Sequence, residues 1–325
     1  MYHRFPVVCA GKASLGPEGL AVSIRIGVRA PYRLDLTANV LRRLSTNVVD
    51  HFDGTTYRRL LGDAGSPAVL SVTQTGPAEL TAGVESAGKA YDARVLVERM
   101  LGIDVDLAPF YRAAAAITWL APLVAGARGV KPPRYPTVWE ACVNAIVYQQ
   151  ISIHAAGAIL RRTIERFATP VPIGDAQLYA FPGPQIIIDA DAEELRAQGL
   201  SINKVTSLRA VARAILEGEI DEAALTLLPT SELMTSLAAH RGIGPWTAAV
   251  IALRGFGRLD LFPMNDSGVA RSVKDLSGNT NVDVEALLSR LGQQRGMLYY
   301  HLLLGRLVAR GDVELAAVPE GSLSA

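Results

Sequence analysis

Three short stretches of this 325-residue chain hold residue types whose spacing could do chemistry. The first is Leu237–Leu261, LAAHRGIGPWTAAVIALRGFGRLDL, with Gly242-Ile243-Gly244 at its centre. Periodic apolar residues before and after the glycines predict two helices joined by a tight reversal, with Pro245 in the first turn of the second helix. Glycine there allows positive φ and close approach of another backbone. The opening of the second helix offers free N–H groups and the positive end of a dipole, a device that binds phosphate without side-chain charge. Read alone, Gly-x-Gly also fits an ordinary compact corner. The second stretch is Leu261-Phe-Pro-Met-Asn-Asp266-Ser-Gly, about twenty residues on, where Asp266 reads alone as the cap of a helix beginning at Ser267. In the third, Gln149 and Gln150 stand between two helices, and by themselves are two solvated loop glutamines.

The elements that must position these residues fall into two parts. The first hundred residues mix strand and helix signals: Leu20–Val28, Tyr57–Leu61, Ala68–Gln74 and Leu80–Val84 read as strands, and Asp35 to about Leu44 and Tyr91–Leu101 as helices. This predicts an α+β domain at 1–112, a small antiparallel sheet with two helices on one face. From about Leu107 the signals are almost all helical, predicting an all-α domain at 113–318 and a frayed tail at 319–325. Trp139, Cys142, Val143 and Ile146 share one helical face. Ser152 is expected to cap the next helix, Ser201 another, and Thr230 or Ser231 one ending at His240.

Composition narrows the classes. Half of the residues are hydrophobic and 19% are charged, as in a globular protein. The net charge of +1 gives no support by itself to nucleic-acid binding. Cys9 and Cys142 are too few for a four-cysteine iron–sulfur or zinc site, and Cys142 sits in an apolar helical pattern as an inert core thiol. The start, MYHRFPVV, has no basic stretch followed by an apolar core, and Ala113–Ala127, interrupted by Pro122, is too short to span a bilayer. A cytoplasmic, nucleoid-associated protein is expected, monomeric and without membrane contact.

The string G-I-G-P-W-T-A after a leucine-bearing helix resembles the hairpin of the helix-hairpin-helix DNA glycosylase superfamily, in the form of the AlkA-type 3-methyladenine glycosylases. Pro136-Thr-Val-Trp-Glu140-Ala-Cys-Val-Asn144-Ala-Ile-Val-Tyr148-Gln149-Gln150-Ile-Ser152 is similar to the family pattern E-A-x-x-x-A-I-x-x-Q-Q-x-S. Gly199-Leu-Ser-Ile-Asn-Lys204 resembles a family helix start, and Arg295-Gly-Met-Leu-Tyr-Tyr-His301 its closing helix, where His301 and the two tyrosines are read as structural. The likeness is specific from about Pro132 to Arg310 and weaker over Tyr32–Tyr111.

The resemblance implies an α+β domain followed by a helix-hairpin-helix glycosylase domain acting on double-stranded DNA that contains damaged bases. Asp266 matches the essential aspartate, which stabilises positive charge on the sugar and orients water as an N-glycosidic bond breaks. Trp246 stands where members with a lyase step carry a Schiff-base lysine. This implies a monofunctional enzyme in which Trp246 stacks on an extruded, alkylated purine. Val250 and Tyr148 would line the same pocket; Val250 departs from the aromatic residue of some members. Gln150 matches the wedge that fills the emptied base stack, with Gln149 near the lesion. Gly242, Ile243, Gly244, Thr247 and Lys204 would meet the DNA backbone. No organic cofactor or catalytic metal is implied; a monovalent cation held by backbone carbonyls near His240–Ile243 is. A non-catalytic binder of bent or damaged DNA, and a glycosylase for deaminated or oxidised bases, are the competing readings.

Overall fold

The computed structural model describes residues 23–62, 67–86, 89–278 and 282–315. Cys9, the start of the Leu20–Val28 strand and the 319–325 tail lie outside the described residues. Strands β1 (Ile24–Gly27), β2 (Asp50–Phe52), β3 (Thr56–Leu61), β4 (Ala68–Gly76) and β5 (Glu79–Ser86) form an antiparallel sheet in the order β1-β5-β4-β3-β2. Helices α1 (Leu34–Arg42) and α2 (Ala93–Leu101) pack against it. Strand β2, only Asp-His-Phe, is too short to show alternation; its partner β3 defines it.

The remainder is mostly helical: α3 (Ala108–Ala115), α4 (Ala121–Gly126), α5 (Val138–Val147) and α6 (Ile153–Phe167), then α7 (Pro184–Asp189), α8 (Ala192–Ala197), α9 (Ile202–Leu216) and α10 (Glu222–Thr226). They are followed by α11 (Thr230–Ala238), α12 (Pro245–Arg254), α13 (Ser267–Ser277), α14 (Val284–Leu291) and α15 (Met297–Ala309). One two-stranded ribbon, β6 (Pro170–Ile173) with β7 (Ala176–Tyr179), interrupts the helices. It has a tertiary cause: Val171, Leu178 and Ala180 cover Leu60 and Val69 on the face of β3 and β4 opposite Arg59 and Leu70. Among the described residues no helix is long and apolar enough to cross a membrane.

The expected caps are largely present. Ser152 accepts from the Ala155 N–H at 3.2 Å and Ser201 from the Lys204 N–H at 3.3 Å. Helix α11 differs: it is preceded by Pro229 and stops at Ala238, and the Thr230 hydroxyl donates to Asp260 at 3.1 Å instead of capping. The cap position is held by Pro229, whose side chain has no acceptor, so the first N–H groups of α11 receive no side-chain cap.

Two apolar clusters form the interior. One joins the sheet, α2, α5, α9 and α12; the other joins α3, α13, α14 and α15. Helix α1 serves both, through Leu34, Ala38 and Leu41 on one side and Leu36 and Val40 on the other. Helix α5 is buried along its whole length. Its polar members are matched rather than exposed: Asn144 donates to the Glu140 carbonyl, and the Glu140 carboxylate pairs with Arg59 of β3. Arg59 also donates to Asp50 at 2.6 Å, as does the Tyr57 hydroxyl at 2.6 Å. At the end of α12, Arg254 is fully buried and donates to the carbonyls of Val40 and Leu41, 3.2 Å each, closing the C-terminus of α1. Cys142 is a buried thiol whose pKa burial pushes up to about 12, as expected of an inert core residue.

His301 is fully buried beside Phe110, its Nδ1–H donating to the Met297 carbonyl at 2.9 Å. Burial pushes its pKa down to about 4, against that hydrogen bond. Between about 6.5 and about 4 the unfolded chain holds a proton that the folded chain refuses, so stability falls as pH drops through that window. His301→Phe is expected to flatten the slope; urea midpoints at pH 7 and pH 4.5 measure it. Glu140→Ala removes one of the two carboxylates on Arg59 and leaves Asp50 as its partner, so it is expected to lower unfolding free energy by about 1.5–3 kcal/mol, read from urea denaturation.

Candidate active site at the hairpin

The reversal between α11 and α12 is held by a hydrogen bond from the Ile243 N–H to the His240 carbonyl at 3.1 Å, and by burial of the Ile243 side chain. Its two glycines have different reasons. Gly242 has φ +87°, and a Cβ there would collide with the Ser207 side chain of α9. Gly244 has φ −82°, and a Cβ there would meet nothing within 4 Å. The fold therefore demands glycine at 242 but not at 244, where the bare backbone leaves the uncapped start of α12 open to an outside group.

Gln149 and Lys204 turn inward. Gln149 Nε2 donates to the Gly242 carbonyl at 2.9 Å and to the buried Thr247 hydroxyl at 2.7 Å, fastening the end of α5 to the hairpin. Lys204 Nζ donates to the carbonyls of Val147 at 2.7 Å and Gln149 at 3.1 Å, closing the C-terminus of α5. Partial burial lowers its pKa. Gln150 is the residue of the pair that faces outward. It is exposed and has φ +59°, unusual for a side-chain-bearing residue, so the sharp turn between α5 and α6 thrusts it into solvent.

Asp266 uses its two carboxylate oxygens differently. As the cap of α13, its Oδ1 accepts from the N–H groups of Gly268 at 2.8 Å and Val269 at 3.0 Å. Its Oδ2 accepts from the indole N–H of Trp246 at 3.2 Å. Both residues are half-buried, so carboxylate and aromatic ring share an accessible site one residue into α12. Val250, one turn further along α12, is buried in the first cluster and packs behind Trp246 instead of facing out. Tyr148, half-buried at the end of α5, lies under the Arg43 guanidinium, 4.3 Å from its ring centroid.

Arg306 feels the charges of Tyr299, Asp266 and Arg43; of the three residues Arg43, Tyr299 and Arg306, only Tyr299 stood in a motif that the sequence marked, and there as structural. Arg43 follows α1 and donates to the Tyr299 hydroxyl at 3.4 Å. Arg306, on α15, lies where a side chain on Gly268 would go, and burial lowers its pKa while Tyr299 and Asp266 oppose that shift. Arg43 sits in an ordinary amphipathic helix sequence, and Arg306 in a closing helix read as structural.

A sheet layer, a helical layer, a glycine hairpin and a half-buried carboxylate bonded to the hairpin helix together define a helix-hairpin-helix protein. Residues 143–294 match the family model of the HhH-GPD superfamily of base excision DNA repair proteins. It is 27% identical over 260 residues to a probable bifunctional transcriptional activator/DNA repair enzyme AlkA of Mycobacterium tuberculosis, covering 78% of this chain and 51% of that protein. It is 31% identical over 141 residues to DNA-3-methyladenine glycosylase 2 of Escherichia coli, covering 42% and 48%. The chain thus spans about half the length of curated relatives it matches. A 3-methyladenine DNA glycosylase from Archaeoglobus fulgidus superposes with a TM-score of 0.72 over 87% of this chain and 98% of that one, at 24% identity, and shares its fold.

Gly242→Ala is expected to lower unfolding free energy by more than about 2 kcal/mol, through positive φ and the Ser207 collision. Gly244→Ala is expected to change it by less than about 1 kcal/mol. Thermal melts of the two variants measure the contrast.

Proposed function

We propose that the protein is a monofunctional DNA glycosylase that extrudes alkylated purines of the 3-methyladenine and 7-methylguanine type and hydrolyses the N-glycosidic bond, leaving an abasic site. The observation that carries this reading is the hydrogen bond from Trp246 to Asp266 Oδ2 at the mouth of the hairpin. It couples the aromatic surface on which a base would stack to the carboxylate that would face the sugar. The naming of relatives as 3-methyladenine glycosylases supports the same substrate class.

Each residue then has a physical task. The bare start of α12 receives a DNA phosphate. Gln150 enters the stack as the base leaves it. The cationic base stacks on Trp246, which the ring's negative face favours. As the bond breaks, its electron pair goes to the base, which departs neutral. Positive charge on the sugar is stabilised by Asp266, and the cap bonds from Gly268 and Val269 hold that carboxylate in place. A water adds to the anomeric carbon and its proton passes to Asp266 or to solvent. With an indole at 246, the wall offers no amine there for a Schiff base.

A monovalent cation fits beside the hairpin within limits. The His240 and Gly242 carbonyls each accept one hydrogen bond, from Ile243 N–H and Gln149 Nε2, and a carbonyl keeps a second lone pair for an ion. Its contribution when bound would be positive charge at the phosphate contact.

Asp266→Asn keeps an oxygen for the cap, so folding should be nearly unchanged, while release of bases from methylated duplex DNA should fall at least about 100-fold. Wild-type product should stay unbroken until alkali cleaves the abasic strand. Unchanged release by Asp266→Asn would sink the catalytic assignment, and strand cleavage without alkali would sink the monofunctional one.

A further inference from the structure

Arg306 carries a half-buried guanidinium that holds nothing. Among the described residues it makes no hydrogen bond and no ion pair, and its Nε is shut away from water. Arg59, Arg209, Arg254 and Arg258 also have an unpaired Nε, but each fastens another nitrogen to an acceptor. A guanidinium has five donors in a rigid fork, and leaving all of them without a protein partner is costly. The place it occupies is specific. Its Nη1 fills the space that a Cβ on Gly268 would take, in the first turn of α13, and Asp266 Oδ1 lies 3.1 Å from that same space. The carboxylate does not need the guanidinium, because Oδ1 accepts from Gly268 and Val269 and Oδ2 from Trp246. The surroundings are otherwise wrong for a lone cation. Arg43 and Arg310 repel it, Arg310 being exposed one turn along α15, and the start of α13 presents the positive end of its dipole. A place of this kind gains from an anion that arrives from outside.

We propose that Arg306 binds a DNA phosphate, the one flanking the extruded nucleotide on the side away from the hairpin. This rests on the glycosylase reading above and adds a second grip on the same nucleotide. Every nucleotide within a strand has a phosphate on each side of its sugar. The open start of α12 at Gly244 offers a place for one of them. Asp266 is bonded to α12 through Trp246 and borders Arg306 through its other oxygen. With the sugar at Asp266 and one phosphate at the start of α12, the strand leaves toward the guanidinium. The guanidinium fork matches two phosphate oxygens, and its charge offsets repulsion between the phosphate and Asp266. Gly268 then has a reason of its own: a Cβ there would displace Arg306 Nη1. Because Arg306 is half-buried beside the carboxylate, a nucleotide still in its stack keeps its phosphates out of reach. The contact is therefore made on extrusion, and it holds the nucleotide out while the bond breaks.

The test measures affinity against salt concentration for wild type, Arg306→Met and Arg306→Lys. Two duplexes are used, one undamaged and one carrying a stable abasic-site analogue, whose sugar leaves the stack readily. Each phosphate contact steepens the plot of log affinity against log salt by about 0.9. On the abasic duplex Arg306→Met is expected to be shallower than wild type by about 0.9, while Arg306→Lys, which keeps the charge, stays within about 0.3 of it. On the undamaged duplex the three slopes are expected to agree. Partial misfolding lowers the amount of binding protein and leaves the slope alone, so the slope reads the contact itself. A wild-type slope for Arg306→Met on the abasic duplex overturns the proposal, and so does an equal loss of slope on both duplexes. Release of bases from methylated duplex by wild type, measured beside it, tests the glycosylase reading separately. The expected slopes without base release would support the phosphate contact and remove the catalytic reading. A wild type that binds neither duplex removes both.

Discussion

The buried ion pairs of Arg59 hold the two layers of the molecule in one register. Arg59 leaves β3 and joins Asp50 of β2 to Glu140 of α5. Ion pairs of this kind contribute little net stability, because desolvation offsets most of the attraction, yet mispairing them is prohibitive. A sheet that slid one residue along α5 would leave charges unmatched in an apolar interior. This matters for the site because α5 has no exposed face and ends in Tyr148, with Gln149 and Gln150 directly after. Fixing the helix against the sheet therefore fixes the inward brace, the outward glutamine and the aromatic wall together.

The site was legible where chemistry is local. The hairpin showed itself through Gly242, Gly244 and Pro245, because turn and helix-start requirements are written in adjacent residues. Ser152, Ser201 and Asp266 were legible as caps for the same reason. Gln149 and Lys204 were legible as important but not in direction. Whether a polar side chain meets solvent or braces a neighbouring element depends on helices far away in sequence, here α5, α9 and the hairpin. The ribbon β6–β7 and strand β2 escaped because their strand character comes from partners, and four residues such as PVPI carry no usable period. Arg43 escaped for a stronger reason. A second arginine in LRRLS looks like a solvated helix end, and only the packing of α1 between two cores shows which of the pair is buried.

Trp246 and Asp266 show how one residue serves two ends. The carboxylate starts α13 through one oxygen and meets the indole of α12 through the other. A structural cap and a reactive carboxylate are usually competing explanations for an aspartate before a helix. Here the cap restricts rotation of the carboxylate, which is what a preorganised electrostatic group requires.

Helix α12 is a short strut with its two ends committed to different tasks. It begins at the open backbone of Gly244 and ends at Arg254, which is clamped to the last carbonyls of α1, immediately before Arg43. Ten residues of helix make the strut about 15 Å long. A push on the hairpin end must travel its length to the α1 terminus, since the shaft is buried and cannot bend aside. The open hairpin and the buried end of α1 are thus fastened to opposite ends of one helix.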